Sequence, residues 1–154
     1  MKREKKDKYN VDNGYFHQFT RNTLQLNNGD NTFSEIGRLA GVEASDWSWG
    51  ALFFDMNNDG LRDLYIANGI FRDLTDQDYL QYVSSEQVLM SIMSGEEVDY
   101  AKLVEIIPSR PVKNHAYINQ GNLSFTNDDS TGLLMPSFSN GSAYGVFDND
   151  GDLD

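Results

Sequence analysis

The feature that most restricts this chain is a pattern written twice. Asn22, Leu26-Asn27-Asn28-Gly29 and Phe33 line up with Asn114, Ile118-Asn119-Gln120-Gly121 and Phe125 at a constant offset of 92. After a one-residue deletion, Gly50, Phe53, Asn57, Asp59-Gly60 and Asp63 line up with Gly141, Tyr144, Asp148, Asp150-Gly151 and Asp154. Self-similarity at such a period is the mark of a repeat architecture. The repeated segments are short, apolar or alternating, and bounded by Asn-Gly and Asp-Gly turns, which makes the unit a β repeat.

In chain order, residues 1–20 read as a lead-in: charged at first, then polar and aromatic (Tyr15, Phe16, Phe19), with 1–9 a disordered basic tail. The first repeat occupies 21–72. Thr23-Leu24-Gln25-Leu26 alternates as a short strand, and Asn27–Asn31 is a turn. Ala51-Leu52-Phe53-Phe54 is a compact buried strand, and Asp63–Ala67 is another. Residues 73–110 read as a helical insertion. Thr75 followed by Asp78 resembles an N-cap, with Leu80 and Val83 on one face. Ser84 or Ser85 caps a second piece bearing Val88, Leu89, Ile92 and Met93, ended by Gly95. Asp99 starts a third, with Leu103, Ile106 and Ile107 inward, stopped by Pro108. The Met/Leu stripe reads as packing. The second repeat, 111–154, breaks off inside its motif at Asp154, which points to a fragment of a longer protein.

Between its two strands the first repeat holds Asp55-Met56-Asn57-Asn58-Asp59-Gly60-Leu61-Arg62-Asp63. Oxygen-bearing side chains stand at positions one, three, five and nine, and a glycine at six. Alternate residues of a tight loop can turn their oxygens inward, and glycine permits the sharp turn between them. Two carboxylates about 4 Å apart repel by roughly 4 kcal/mol at an effective dielectric of 20. The spacing therefore suits a hard cation, with Leu61 the natural carbonyl donor at position seven. An EF-hand is excluded, because its twelfth position requires a bidentate glutamate and here carries Ile66, inside a strand. The second loop is weaker. Its first position is Val146, which has no side-chain oxygen, while Asp148, Asp150 and Asp154 keep positions three, five and nine and Asp152 takes seven.

Composition narrows the rest. The net charge of −12 argues against a nucleic-acid partner. With no cysteine, disulfides, thiolate metal sites and cysteine nucleophiles are excluded. No apolar run reaches the length of a membrane span. The basic start, Met1–Lys8, is followed by no apolar stretch and is not a signal peptide. His17 and His115 follow no zinc spacing, no nucleophile-elbow pattern occurs, and no Gly-rich phosphate loop is present. No catalytic or cofactor-binding residue is assigned.

The order Asn-x-Gly…Phe, then Trp-Gly or Ser-Asn-Gly, then the acidic loop running into Asp63-Leu64, resembles the FG-GAP/VCBS repeat, the β-propeller blade of integrin α-subunit type. The form Leu64-Tyr65-Ile66-Ala67-Asn68-Gly69 followed by Arg72-Asp73-Leu74-Thr75-Asp76 is similar to bacterial exported proteins related to cartilage acidic protein, which often end in an ASPIC/UnbV domain. The resemblance implies a mainly β fold: about two blades of a seven-bladed propeller, completed by the remaining blades of the same chain. It implies an extracellular or cell-surface location and a non-catalytic role in binding or adhesion to a protein or carbohydrate ligand. It also implies Ca2+ held by Asp55, Asn57, Asp59, Leu61 and Asp63, and by Asp148, Asp150, Asp152 and Asp154. Val146 departs from the pattern and makes the second site the weaker. Two rival readings are an accessory propeller segment of an exported hydrolase or lyase, and a purely structural blade pair without metal.

Overall fold

A computed structural model describes residues 3–154 apart from 16, 18, 95–99, 149, 152 and 154. The chain divides into two units, residues 1–44 and 45–154.

In the first unit the charged lead-in forms a helix, α1 (Arg3–Asp12), where a disordered tail was expected. The segment contains neither glycine nor proline, and it stops where Gly14 takes φ 81°. Two short antiparallel strands follow, β1 (Gln25–Asn27) and β2 (Phe33–Glu35). Their turn is built from side chains. The Gly29 amide donates to Asn27 Oδ1 at 2.8 Å, the Thr32 amide to Asp30 Oδ1 at 3.0 Å, and the Asn28 amide to the Thr32 carbonyl at 3.1 Å. Helix α2 (Gly37–Ala40) ends at the left-handed Gly41, and Ala40 and Val42 are buried. Glu35 ties the unit together: one carboxylate oxygen accepts the Gly37 amide at 2.7 Å, and the other meets Arg21 at 3.1 Å.

The second unit is a four-stranded antiparallel meander: β3 (Ser48–Phe54), β4 (Asp63–Asn68), β5 (His115–Asn119) and β6 (Phe125–Asn127). Strand β4 lies between β3 and β5 and is buried on both faces, through Leu64, Ile66 and Asn68 on one side and Asp63 and Ala67 on the other. Tyr117, Ala116, Phe54, Ile107 and Leu134 complete the core. At the bulge between Ser48 and Gly50 the Trp49 indole N–H donates to the Gly69 carbonyl. Residues 137–144 pass close over β3 and β4. Gly50 lies against Gly141 and Ser142, Phe54 stacks on Tyr144 at 5.6 Å, and Gly69 meets the Phe138 backbone.

Three expectations change. The fold is mixed α and β rather than mainly β, with five α-helices beside six strands among the described residues. The sequence repeats are out of phase with the sheet: among the described residues the four-stranded sheet takes β3 and β4 from the first repeat and β5 and β6 from the second. The helices of the insertion, α3 (Gln77–Val83), α4 (Glu86–Met93) and α5 (Tyr100–Glu105), form close to the expected places, but their apolar stripe is at most half-buried. Neither α3 nor α5 buries a residue, and Leu89, Ile92 and Met93 are exposed; among the described residues of the insertion only Ile107, after α5, is buried. The cap of α3 is Asp76, which accepts the Tyr79 amide, while Thr75 serves the Asp73 carboxylate instead. Gly95 and Asp99 lie outside the described residues.

Candidate functional site

The acidic loop is the hairpin connection between β3 and β4. Its shape comes from carboxylates and an amide turning back on their own backbone. Asp55 accepts the Asp59 amide at 3.1 Å on one oxygen and the Gly60 amide at 2.8 Å on the other. Asn57 Oδ1 accepts the Asp59 amide at 3.1 Å, and Asp59 Oδ1 accepts the Leu61 amide at 2.8 Å. The Asn57 side-chain amine donates to Asp59 Oδ2 at 3.0 Å. Positive φ at Asn58 and Gly60 closes the turn, in residue types that tolerate the left-handed region.

Asp63 is different in kind. Its side chain is wholly buried at the first position of β4. One oxygen accepts the Met56 amide at 2.9 Å, at the start of its own loop. The other accepts the Asn119 amide at 2.8 Å, at the end of β5. Asn119 answers by donating its side-chain amine to the Arg62 carbonyl at 2.9 Å, while its Oδ1 accepts the Gly121 amide at 2.9 Å. Asp63 and Asn119 thus bolt the acidic loop to the β5–β6 turn. Sequence reasoning missed Asn119 as part of this site. Its signal was present in the repeat, where Asn27 and Asn119 occupy the same place.

The oxygens of Asp55, Asn57 and Asp59 and the Leu61 carbonyl share one exposed loop. Among the described residues no group of three or more His, Cys, Asp and Glu side chains comes close enough together to hold a metal ion. The donor chemistry nevertheless suits a hard cation. All donors are oxygens, an ionised carboxylate offers about four lone-pair directions, and each Asp63 oxygen spends one on an amide. Arg62 is the one basic residue among the nine of the loop, against three aspartates, and the ion pairs His17–Asp7 and Arg21–Glu35 lie elsewhere in the chain. In the second loop the Asp150 amide donates to Asp148 Oδ1 at 3.2 Å, and Val146 is exposed. Asp152 and Asp154 lie outside the described residues, and residues 141–148 form no strand.

A four-stranded antiparallel meander, carrying an Asn-x-Gly turn and an acidic loop that recur along the chain, defines a blade-type repeat module. Residues 10–66 match the family model of the FG-GAP-like repeat, so the chain carries such a repeat. The match takes in β1 to β3, the whole first acidic loop and β4 as far as Ile66. No curated protein and no solved structure matches the chain. No helix among the described residues is long and apolar enough to cross a membrane.

Proposed function

We propose that the chain is a segment of an extracellular, non-catalytic FG-GAP-type propeller, acting in binding or adhesion toward a protein or carbohydrate ligand, and that its first acidic loop takes Ca2+. The observation that carries this reading is the loop itself: Asp55, Asn57 and Asp59 gather side-chain oxygens at one hairpin whose nine residues hold three aspartates against one arginine, Arg62. The ion would be held by these three residues, the Leu61 carbonyl and Asp63. It would supply positive charge to a loop that carries three aspartates against one arginine. Asp148, Asp150, Asp152 and Asp154 form a second and weaker set. The run Arg72-Asp73-Leu74-Thr75-Asp76 supports the finer likeness to exported proteins related to cartilage acidic protein, with an ASPIC/UnbV domain elsewhere in the full protein.

Extracellular calcium modules have dissociation constants of about 10⁻⁴–10⁻³ M, which suits a shallow, exposed loop. At a 100-fold excess of calcium, binding adds about 2.7 kcal/mol to stability. Thermal melts in calcium and in chelator test this. The expected result is a calcium-dependent rise in melting temperature that Asp59→Ala abolishes. A wild-type melt indifferent to calcium would sink the metal reading.

A further inference from the structure

Four asparagines of this chain precede a glycine: Asn13, Asn28, Asn68 and Asn140. Asparagine is chemically labile, most of all before glycine. The glycine amide nitrogen attacks the asparagine Cγ, loses its proton and expels ammonia, and a cyclic succinimide closes. Water then opens the ring at either carbonyl. One opening leaves aspartate. The other leaves isoaspartate, whose main chain runs through Cγ and so gains a methylene. The sum is one water in and one ammonia out, with no change of oxidation state. The attack needs an amide nitrogen unhindered by a Cβ and free of a hydrogen bond, and a side chain free to turn toward it.

Three of the four are held on both counts. The Asn13 side-chain amine donates to the Tyr9 carbonyl at 2.7 Å, and the Gly14 amide to the Val11 carbonyl at 3.0 Å. Asn28 donates to Thr32 Oγ1 at 2.9 Å and accepts from Ser34 Oγ at 3.1 Å, while the Gly29 amide donates to Asn27 Oδ1 at 2.8 Å. Asn68 is wholly buried and donates to the Lys113 carbonyl at 3.0 Å, and the Gly69 amide donates to the Trp47 carbonyl at 3.0 Å. Asn140 differs. It is exposed, residues 138–146 form neither helix nor strand, and among the described residues no hydrogen bond engages its side chain or the Gly141 amide. Its neighbours, by contrast, are anchored. The Ser139 amide donates to the Asn68 carbonyl at 3.1 Å. On the other side, a Cβ at Gly50 would lie 3.3 Å from Gly141 Cα and 3.1 Å from the buried Ser142 Oγ.

We propose that Asn140 is the site at which the folded chain spontaneously forms a succinimide, and that the isoaspartate product unseats residues 141–144 from β3. The reactive link lies between two anchors, Ser139 on β4 and Ser142 on β3. A main chain lengthened by a methylene between them has to displace one. The anchor on β4 is a backbone hydrogen bond; the one on β3 is a close contact with no slack, and it gives way. Aspartate of normal linkage adds a negative charge and leaves the path of the chain as it was. The inference uses neither the calcium reading nor the blade reading.

The test holds the folded chain, and the chain unfolded in urea, in heavy-oxygen water at mildly alkaline pH. Digestion then follows in ordinary water, so only rings opened before digestion carry the label. Electron-transfer fragmentation separates isoaspartate from aspartate in each peptide. In the folded chain Asn140 is expected to react about tenfold or more faster than Asn13, Asn28 and Asn68. In urea the four rates should converge. Asn140→Gln should remove the labelled product, and Gly141→Ala, whose Cβ meets no atom within 4 Å, should slow its formation in an intact fold. The isoaspartate fraction should exchange the amides of residues 50–54 faster than the fresh chain does. Asn140→Asp, with the same added charge and a normal main chain, should match the fresh chain. A folded-state rate at Asn140 no faster than at Asn13 or Asn28 overturns the assignment. So does the same ranking in urea, which would make the local sequence and not the fold its cause. Unchanged exchange in the isoaspartate fraction, or an equal rise in Asn140→Asp, overturns the effect on β3.

Discussion

Asp63 and Asp59 stand four residues apart in one loop and do different work. Asp63 is buried and satisfies two backbone amides from distant points of the chain. Asp63→Ala leaves both amides without an acceptor, which costs about 2–6 kcal/mol at roughly 1–3 kcal/mol for each buried donor. Asp59 is exposed and accepts the amide of Leu61. Asp59→Ala costs about 0.5–1 kcal/mol in chelator. Urea denaturation of the two variants in chelator reads the difference; equal losses would show that Asp63 is only another loop carboxylate. The loop was legible in the sequence because spacing reveals which side chains share a turn. The role of Asp63 was not, because its second amide comes from a residue 56 positions away. Glu35 gives a pH prediction of the same kind. The Gly37 amide holds its carboxyl below its ordinary value near 4.5, helped by the Leu24 amide and the Arg21 guanidinium against some loss of solvation. A depressed carboxyl pKa favours the folded state above the unfolded value, and that favour is lost as pH falls through the folded value. The first unit should therefore loosen below about pH 4.5 in wild type. Glu35→Gln should flatten that dependence, as followed by hydrogen exchange at Gly37.

The elements follow local rules where the chain pays attention to its neighbours in sequence. Turns at Asn27–Phe33 and Asn119–Phe125 were readable because an asparagine that bonds its own backbone two residues on, followed by a glycine, sets the geometry without outside help. Helices in the insertion were readable from period and stop signals. The fate of the apolar stripe was not, because period says which residues share a face and not whether anything lies against it. The same distinction separates two glycines. Gly60 has φ +86° with open space around it, so Gly60→Ala meets only the backbone penalty, about 1 kcal/mol. Gly69 has φ +153°, and a Cβ there would lie 2.5 Å from Phe138 Cα. Gly69→Ala must push two backbones apart and should cost about 3 kcal/mol or more. Comparable melting temperatures for the two variants would show that the 137–144 segment yields easily.

At the scale of the molecule, the sequence repeat and the sheet are out of phase. Each repeat runs from an outer strand pair through an acidic loop into the inner pair of the next sheet, so the one complete sheet straddles two repeats. The pattern match could not reveal this, since it aligns like with like and is silent on which strands pair. The phase also explains why the insertion is tolerated where it is. It interrupts a sheet between β4 and β5, yet its ends are held together at its base. The Asp73 amide donates to the Pro108 carbonyl at 2.9 Å, and Arg72 Nη1 donates to the carbonyls of Glu105 and Ile107. The helices beyond that clamp contribute no buried residue from α3 or α5. Replacing residues 75–104 by a Gly-Ser turn keeps the clamp and the buried Ile107, and shortens the connection at a gain of less than about 1 kcal/mol in loop entropy. The four-stranded sheet should melt within about 4 °C of the wild type, with β4 and β5 amides still protected. A larger fall, or loss of protection in β5, would make the helices part of the sheet's packing rather than a graft on its edge.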